Sequence, residues 1–136
     1  MGARGGAAVR IDNLFKAYGT VRAIDGISLD VRSGEFLTLL GPSGSGKTTT
    51  LMTVAGFEVP TSGEIFIDDR PVSLVPPHRR GIGMVFQNYA LFPHMTVGEN
   101  IAFPLRLRKM AKAERMERVR GALELVRLPG VEHRFP

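Results

Sequence analysis

The sequence predicts an α/β fold, mainly because of what surrounds one glycine-rich loop. The apolar run at residues 35–40 is typical of a strand buried on both faces. The loop at residues 41–48 follows it, and the helix expected over residues 49–55 ends at Gly56, a common helix stop. A second apolar run, residues 82–86, predicts another buried strand. Strand, glycine loop and helix in this order indicate a sheet with helices packed against it.

The other strands are expected to be short, antiparallel and buried on one face. Residues 9–14 alternate roughly between apolar and polar side chains, and residues 27–31 alternate strictly. Turn signals at residues 19–20 and 33–34 separate them. Residues 64–68 predict one more short strand.

Two helices are expected in the C-terminal third. Thr96 and Glu99 form the pattern of a capping box before a helix at residues 97–103, and Pro104 is expected to limit that helix. A longer helix is predicted over residues 113–128. Its apolar positions step by three and four and are expected to form one buried stripe; they are Met116, Val119, Leu123 and Val126. Glu114 and Arg118 lie at i,i+4 on the polar side of this helix.

The glycine-rich loop fits the phosphate-binding pattern G-x-x-x-x-G-K-[ST] at every specified position. Its glycines allow backbone angles that turn successive N–H groups inward, and the following helix adds its positive N-terminal end. Lys47 supplies a point charge for the β- and γ-phosphates, and the Thr48 hydroxyl is placed to bind Mg²⁺. A flexible Gly/Ser linker is the alternative, but a linker is not followed by Lys-Thr and an apolar helix. The pattern predicts a nucleotide-phosphate site.

Two further side chains are candidates for the same site. Tyr18 lies near a turn and can offer its ring to adenine, although it could equally pack on a strand. Gln87 follows the predicted strand at residues 82–86, and ligands bind at the carboxyl ends of strands in open α/β sheets. Its amide can coordinate a cation through oxygen and donate through nitrogen. The alternative for Gln87 is a polar strand cap.

Composition restricts the function classes. With 43% hydrophobic and 23% charged residues the chain is expected to be globular, and without cysteine it has no disulfide or thiolate metal site. The net charge of +5 raises the possibility of nucleic-acid binding, but the basic residues are dispersed and no recognition motif accompanies them. His94 has no second metal ligand at a useful spacing. We expect no signal peptide, N-myristoylation or membrane span, and therefore a cytosolic protein.

Together these stretches resemble the nucleotide-binding domain of ATP-binding-cassette (ABC) transporters, a P-loop NTPase fold. The resemblance rests on Tyr18 in Lys-Ala-Tyr-Gly, on the loop at residues 41–48, and on Phe-Gln-Asn-Tyr-Ala-Leu-Phe-Pro-His-Met-Thr-Val at residues 86–97. It extends over the chain from about Val9. It is strongest to importer subunits of the polyamine, ferric-iron and sugar group, with the polyamine type first.

The resemblance implies a role for each matching residue. Tyr18 stacks on adenine, Thr48 and Gln87 hold Mg²⁺, and Lys47 and Gln87 take part in catalysis. The residues that wrap the phosphates are Gly41, Pro42, Ser43, Gly44, Ser45, Gly46, Lys47, Thr48 and Thr49. The implied cofactors are ATP and Mg²⁺. The implied function is to couple ATP binding and hydrolysis to the uptake of a small solute, a polyamine in the first instance.

The resemblance also implies an organisation and a set of partners. Residues 1–8 are expected to be a flexible N-terminus and residues 9–136 part of a nucleotide-binding domain. Its catalytic core, which includes an antiparallel β subdomain, extends to about residue 95, and a helical subdomain begins at about residue 96. The expected partners are permease subunits that contact residues 88–97, a second nucleotide-binding subunit and a separate solute-binding protein, but no nucleic acid. The expected location is the cytoplasmic face of the membrane, as a peripheral subunit.

One departure from the family pattern bears on activity. Family members carry a Leu-Ser-Gly-Gly-Gln signature, a Walker B aspartate, a catalytic glutamate and a switch histidine beyond the part that this sequence matches. We therefore expect the sequence to be the front part of a longer ATPase, and these 136 residues alone not to hydrolyse ATP. The alternatives are a natural module that binds nucleotide or a membrane subunit without hydrolysis, another P-loop enzyme, or a nucleic-acid binder.

Overall fold

The structure, a computed structural model, describes residues 6–136; of the predicted flexible N-terminus, residues 1–5 therefore lie outside it. The chain separates into two compact units, one that extends to Met84 and one of Val85–Pro136. The elements of the first unit are β1 (Val9–Tyr18), β2 (Val21–Val31), α1 (Lys47–Ala55), β3 (Ser62–Ile67), β4 (Arg70–Pro71) and a 3₁₀ turn at Pro77–Arg79. Those of the second unit are α2 (Val97–Leu107) and α3 (Lys112–Leu125).

The first unit contains an antiparallel sheet in the order β2-β1-β3-β4. The predicted strands at residues 9–14 and 27–31 lie in it and pair antiparallel, as predicted, and the strand predicted at residues 64–68 forms as Ser62–Ile67. β1 and β2 are longer than predicted because they form one hairpin that turns at residues 19–20 and pairs Tyr18 with Val21. The alternating apolar side chains meet on one face, where Leu14, Ile24 and Ile65 are fully buried.

Helix α1 begins at Lys47 and is closed by Gly56, as the sequence predicts. Gly56 has a left-handed backbone (φ 86°), and its N–H donates to carbonyls of the last turn. The Thr53 side chain is completely buried, and its hydroxyl donates to the Thr49 carbonyl at 2.6 Å. The helix lies against β2.

The strands predicted at residues 35–40 and 82–86 do not form in the described part of the chain. Both segments are irregular and open to solvent: Phe36 is 92% exposed, Leu40 89% and Val85 92%. A strand buried on both faces needs hydrogen-bonded neighbours and covering layers. The sheet of residues 6–136 consists of β2, β1, β3 and β4, and none of these strands pairs with either segment. The apolar runs were recognised correctly, but the strand assignment was wrong.

Helix α2 of the second unit begins at the predicted capping box. The Thr96 hydroxyl accepts from the Glu99 N–H at 3.2 Å, and the Glu99 carboxylate accepts from the Thr96 N–H at 2.8 Å. Hydrogen bonds from Thr96 lower the pKa of Glu99. The expectation that Pro104 limits this helix was wrong, because α2 continues to Leu107 with Pro104 inside it. A proline near the end of an 11-residue helix removes only one hydrogen bond, and its carbonyl still accepts from Arg108 at 3.3 Å.

Two of the four residues predicted to form a buried apolar stripe on helix α3 are buried. Val119 and Leu123 are buried, whereas Met116 is 46% and Val126 59% exposed. Val126 lies beyond the helix, which ends at Leu125 rather than at residue 128. The predicted i,i+4 pair of Glu114 and Arg118 forms at 3.2 Å on the exposed side.

Among the described residues of the first unit, Arg80 has a buried guanidinium. It donates to the carbonyls of Thr53 and Val54 at 2.8 Å each, to Val75 at 2.7 Å and to Ser73 at 3.0 Å. Burial lowers the pKa of Arg80, and the nearby Glu64 carboxylate acts in the opposite direction. The cation lies at the C-terminal end of α1, where the helix dipole favours positive charge. Arg80 thereby ties α1 to the connector that runs from β4 to the 3₁₀ turn.

Replacing Arg80 by methionine is expected to destabilise the first unit by about 3 kcal/mol, because four buried or half-buried carbonyls lose a charged donor. Urea unfolding of the purified protein measures this change. The matched control is Arg79→Met, at the exposed neighbouring position, for which we expect a change within about 0.5 kcal/mol. Equal losses for the two variants would show that the Arg80 hydrogen bonds contribute little to stability.

Candidate nucleotide-binding site

The glycines of the loop have the backbone shape that the motif requires. Gly44 and Gly46 have φ values of 80° and 85°, in the left-handed region that side chains disfavour. Gly46 is also the N-cap of α1. A Cβ at this position would collide with the carbonyl oxygen of Ala23 in β2. Gly46 is therefore required both by its own backbone angle and by the close approach of the loop to β2.

The Lys47 side chain folds back over its own loop. Its ammonium group donates to the carbonyls of Gly41 and Pro42 at 2.7 Å each, and to the Ser45 hydroxyl at 3.1 Å. These three bonds use all three ammonium donors and hold the positive charge at the mouth of the loop. A phosphate could replace these neutral acceptors with charged oxygens, which form stronger bonds with an ammonium group.

The start of α1 adds further attraction for an anion. Because the N-cap is glycine, no side chain of the described residues caps the helix, and its first turn contains no acidic residue. The first N–H groups of a helix have no partner within the helix, so they can donate to phosphate oxygens. Thr48 is exposed in this first turn, where its hydroxyl can reach solvent or a bound ion. The loop and the helix end thus fit an anion with several oxygens.

Tyr18 lies at the turn end of the β1–β2 hairpin, on the side where the loop meets β2. Its pairing partner Val21 is two residues from Ala23, which touches Gly46, so roughly 7 Å of strand separates the two points. The ring is 47% exposed, which leaves surface for a ligand. Partial burial, followed by the Glu58 carboxylate, raises the pKa of the Tyr18 hydroxyl. The hairpin therefore brings Tyr18 and the loop to one end of the first unit.

Gln87 lies in the second unit and is exposed. The prediction that Gln87 follows a strand, at the loop edge of a shared sheet, was wrong, because residues 82–86 do not form a strand. Its part in holding Mg²⁺ stays a prediction. The chain after it turns sharply: Tyr89 and Ala90 both have left-handed backbones, with φ values of 61° and 51°, which are uncommon for residues other than glycine.

Asn100 holds the segment after Gln87 against α2, and sequence reasoning missed it. Its side-chain oxygen accepts from the Phe92 N–H at 2.9 Å, and its NH₂ group donates to the carbonyls of Phe92, Met95 and Thr96 at 3.0–3.2 Å. The Phe92 ring also packs on Phe103, with centroids 4.8 Å apart. A usable signal was an asparagine inside a predicted helix, four residues after the N-cap, where it is disfavoured unless it bonds to the backbone.

The remaining observations limit what the site can hold. Residues 6–136 contain no group of three or more His, Cys, Asp or Glu side chains that could bind a metal ion by themselves. A magnesium ion at the loop would therefore depend on the Thr48 hydroxyl and on oxygens of the bound anion, which matches the preference of Mg²⁺ for oxygen ligands. None of the helices in the described range is long and apolar enough to span a bilayer.

Comparison with known proteins identifies relatives of this chain. The chain is 51% identical over 130 residues to the spermidine/putrescine import ATP-binding protein PotA of Nitrosomonas eutropha. The alignment covers 96% of this chain and 36% of that protein. It is 58% identical to PotA of Acidothermus cellulolyticus (94% and 34% covered) and 51% identical to the trehalose/maltose import ATP-binding protein MalK of Thermococcus litoralis (96% and 37% covered). The chain thus spans about a third of the length of these relatives.

The fold is also found among solved structures. The structure of a dimeric ATP-binding cassette in a post-hydrolysis state, bound to ADP and Pi, superposes with a TM-score of 0.84 at 31% identity, covering 94% of this chain and 61% of that one. A second dimeric structure, of a bacterial ABC transporter cassette, gives the same TM-score at 30% identity. The profile of the ABC transporter family matches residues 24–136. The predicted fold, the N-terminal part of a P-loop ABC domain, is confirmed, and the chain belongs to the ABC transporter family.

Proposed function

We propose that this chain is the N-terminal, nucleotide-binding part of the ATPase subunit of an ABC importer. The observation that carries the proposal is the position of Lys47, whose ammonium is held by loop carbonyls at the uncapped N-terminus of α1. That arrangement concentrates positive charge where phosphates would bind. The similarity of the chain to proteins named as import ATP-binding proteins supports import as the direction of transport.

The proposed chemistry of the loop is binding and neutralisation of charge. Residues 41–49 would surround the phosphates of ATP with backbone N–H groups, while Lys47 would move its donors from the loop carbonyls to the β- and γ-phosphates. Mg²⁺, when bound with ATP, would neutralise the phosphate charge, and Thr48 would supply a protein oxygen to it. Phosphoryl transfer also needs a group that orients the attacking water. We propose none of these loop residues as the group that orients the water.

Tyr18 is the proposed base-binding residue. It lies at the same end of the hairpin as the loop, and about half of its surface is exposed. A base stacked on an aromatic ring gains roughly 1–3 kcal/mol and tolerates different bases.

The proposed docking surface for a permease subunit is the segment at residues 88–97. Its large side chains are exposed, with Tyr89 at 79% and Leu91 at 52%, and Asn100 hydrogen-bonds to its backbone at Phe92 and Met95. An exposed apolar segment of fixed shape is suited to contact with a partner. A subunit that docks in this way would be a peripheral protein on the cytoplasmic face of the membrane. We further propose that the longer protein works as a pair, like the dimeric cassettes it resembles, and with a solute-binding protein.

A polyamine is the proposed solute, because relatives named for spermidine and putrescine import match the chain at 51–58% identity. MalK, named for trehalose and maltose import, matches at 51%, so a disaccharide is the competing solute. Uptake of labelled spermidine and labelled maltose by cells with and without the full-length gene distinguishes them. We expect deletion to abolish spermidine uptake and leave maltose uptake intact. The reverse result would assign a sugar importer.

Lys47→Ala is expected to weaken ATP binding about ten- to a hundredfold, because it removes a charge-assisted contact worth roughly 1.5–3 kcal/mol. Titration with a fluorescent ATP analogue measures the affinity. Lys112→Ala, in the first turn of α3, is the matched control and should bind like the unaltered protein. Unchanged affinity in the Lys47 variant would refute the assignment of the loop.

Gln87→Ala in the full-length protein is expected to leave ATP binding unchanged but to uncouple hydrolysis from transport, since Gln87 directly precedes the proposed docking segment. ATP affinity, ATPase rate and solute uptake are measured together in the assembled transporter. Asn88→Ala, at the next exposed position, controls for a general disturbance of the segment. Normal uptake with normal stimulation of ATPase by solute would remove Gln87 from the coupling role.

A further inference from the structure

Tyr18 is in contact with an ion pair that the phosphate chemistry does not use. The Lys16 ammonium lies 4.8 Å from the centroid of the Tyr18 ring, 3.0 Å from the Glu58 carboxylate, and donates to the Val59 carbonyl at 2.7 Å. Glu58 lies close enough to the Tyr18 hydroxyl to affect its ionisation. The ring is therefore approached by a cation that is itself paired with the Glu58 carboxylate.

This pair differs from an ordinary surface salt bridge. The Lys16 side chain is only 13% exposed and that of Glu58 34%, whereas Arg22 and Asp25, a pair on the same hairpin, are 67% and 65% exposed. An ammonium removed from water is costly unless its donors are used, and here a carboxylate, a carbonyl and a ring face surround it. Exposed pairs such as Arg22 and Asp25 contribute little.

The pair also connects two elements that the site needs. Lys16 belongs to β1, and Glu58 lies three residues after α1 ends at Ala55. The contact therefore links the Tyr18 ring to the C-terminal end of α1, the helix whose N-terminal end follows the phosphate-binding loop. A ring held in this way loses less freedom when a ligand stacks on it.

We propose that Lys16 and Glu58 are positioning residues that cover one face of the Tyr18 ring, hold its hydroxyl, and present its remaining exposed surface to the base of the nucleotide. This inference rests on the proposed function, because it assumes that Tyr18 receives the base. It adds that the affinity for the base, as distinct from that for the phosphates, depends on Lys16 and Glu58.

The test compares ATP with inorganic triphosphate, which has the phosphate groups but no base. Both are measured by calorimetry on the full-length protein. We expect Lys16→Met and Glu58→Gln each to weaken ATP about three- to tenfold and to change triphosphate affinity less than twofold. Lys16→Arg, which keeps the charge over the ring, should restore most of the ATP affinity. Arg22→Met and Asp25→Asn are the matched controls and should change neither ligand.

The outcomes separate this inference from the proposed function. Equal weakening of ATP and triphosphate, or no weakening of either, would overturn the positioning role while leaving the loop as a phosphate site. An unaltered protein that binds ATP no better than triphosphate would also overturn it. An unaltered protein that binds neither ligand would overturn the proposed function and this inference with it. If Lys16→Met does not fold, the isosteric Glu58→Gln and the Lys16→Arg variant decide between these outcomes.

Discussion

The close approach of Gly46 to the Ala23 carbonyl is the contact on which the candidate site depends. It leaves no room for a side chain where the loop meets β2, and so determines where α1 begins. Because the N-cap is a glycine, the first turn receives no side-chain cap from the residues described, and its amides face outward at the positive end of the helix. The same backbone geometry therefore sets the position of the helix and leaves its N-terminus available to an anion.

The other end of α1 is held by ionic groups rather than by apolar packing alone. The guanidinium of Arg80 donates to the carbonyls of Thr53 and Val54, while Gly56 closes the last turn. Just beyond, Glu58 pairs with Lys16 of β1. These contacts at the C-terminus of α1 offset the stabilisation that a side-chain cap would supply at its N-terminus.

The second unit shows how an exposed segment can have a definite shape. Residues 88–95 contain no helix or strand, yet the Asn100 side chain donates three hydrogen bonds to the segment and its junction with α2 and accepts one, and Phe92 packs on Phe103. Apolar side chains such as Tyr89 remain exposed on this segment. Backbone order combined with apolar exposure suits a surface that recognises a partner without large rearrangement.

Local signals in the sequence determined much of this protein. The left-handed glycines of the loop, the helix that ends at Gly56 and the capping box at Thr96 were all predictable, because each depends on residues within a few positions of one another. The same holds for the alternating strands of the hairpin. Tertiary structure alone decided the rest. Whether residues 35–40 and 82–86 form strands depends on neighbouring strands to pair with, and a local sequence pattern carries no information about those neighbours. The burial of Arg80 and the contact of Lys16 and Glu58 with Tyr18 join residues tens of positions apart, and only the folded chain brings such groups together.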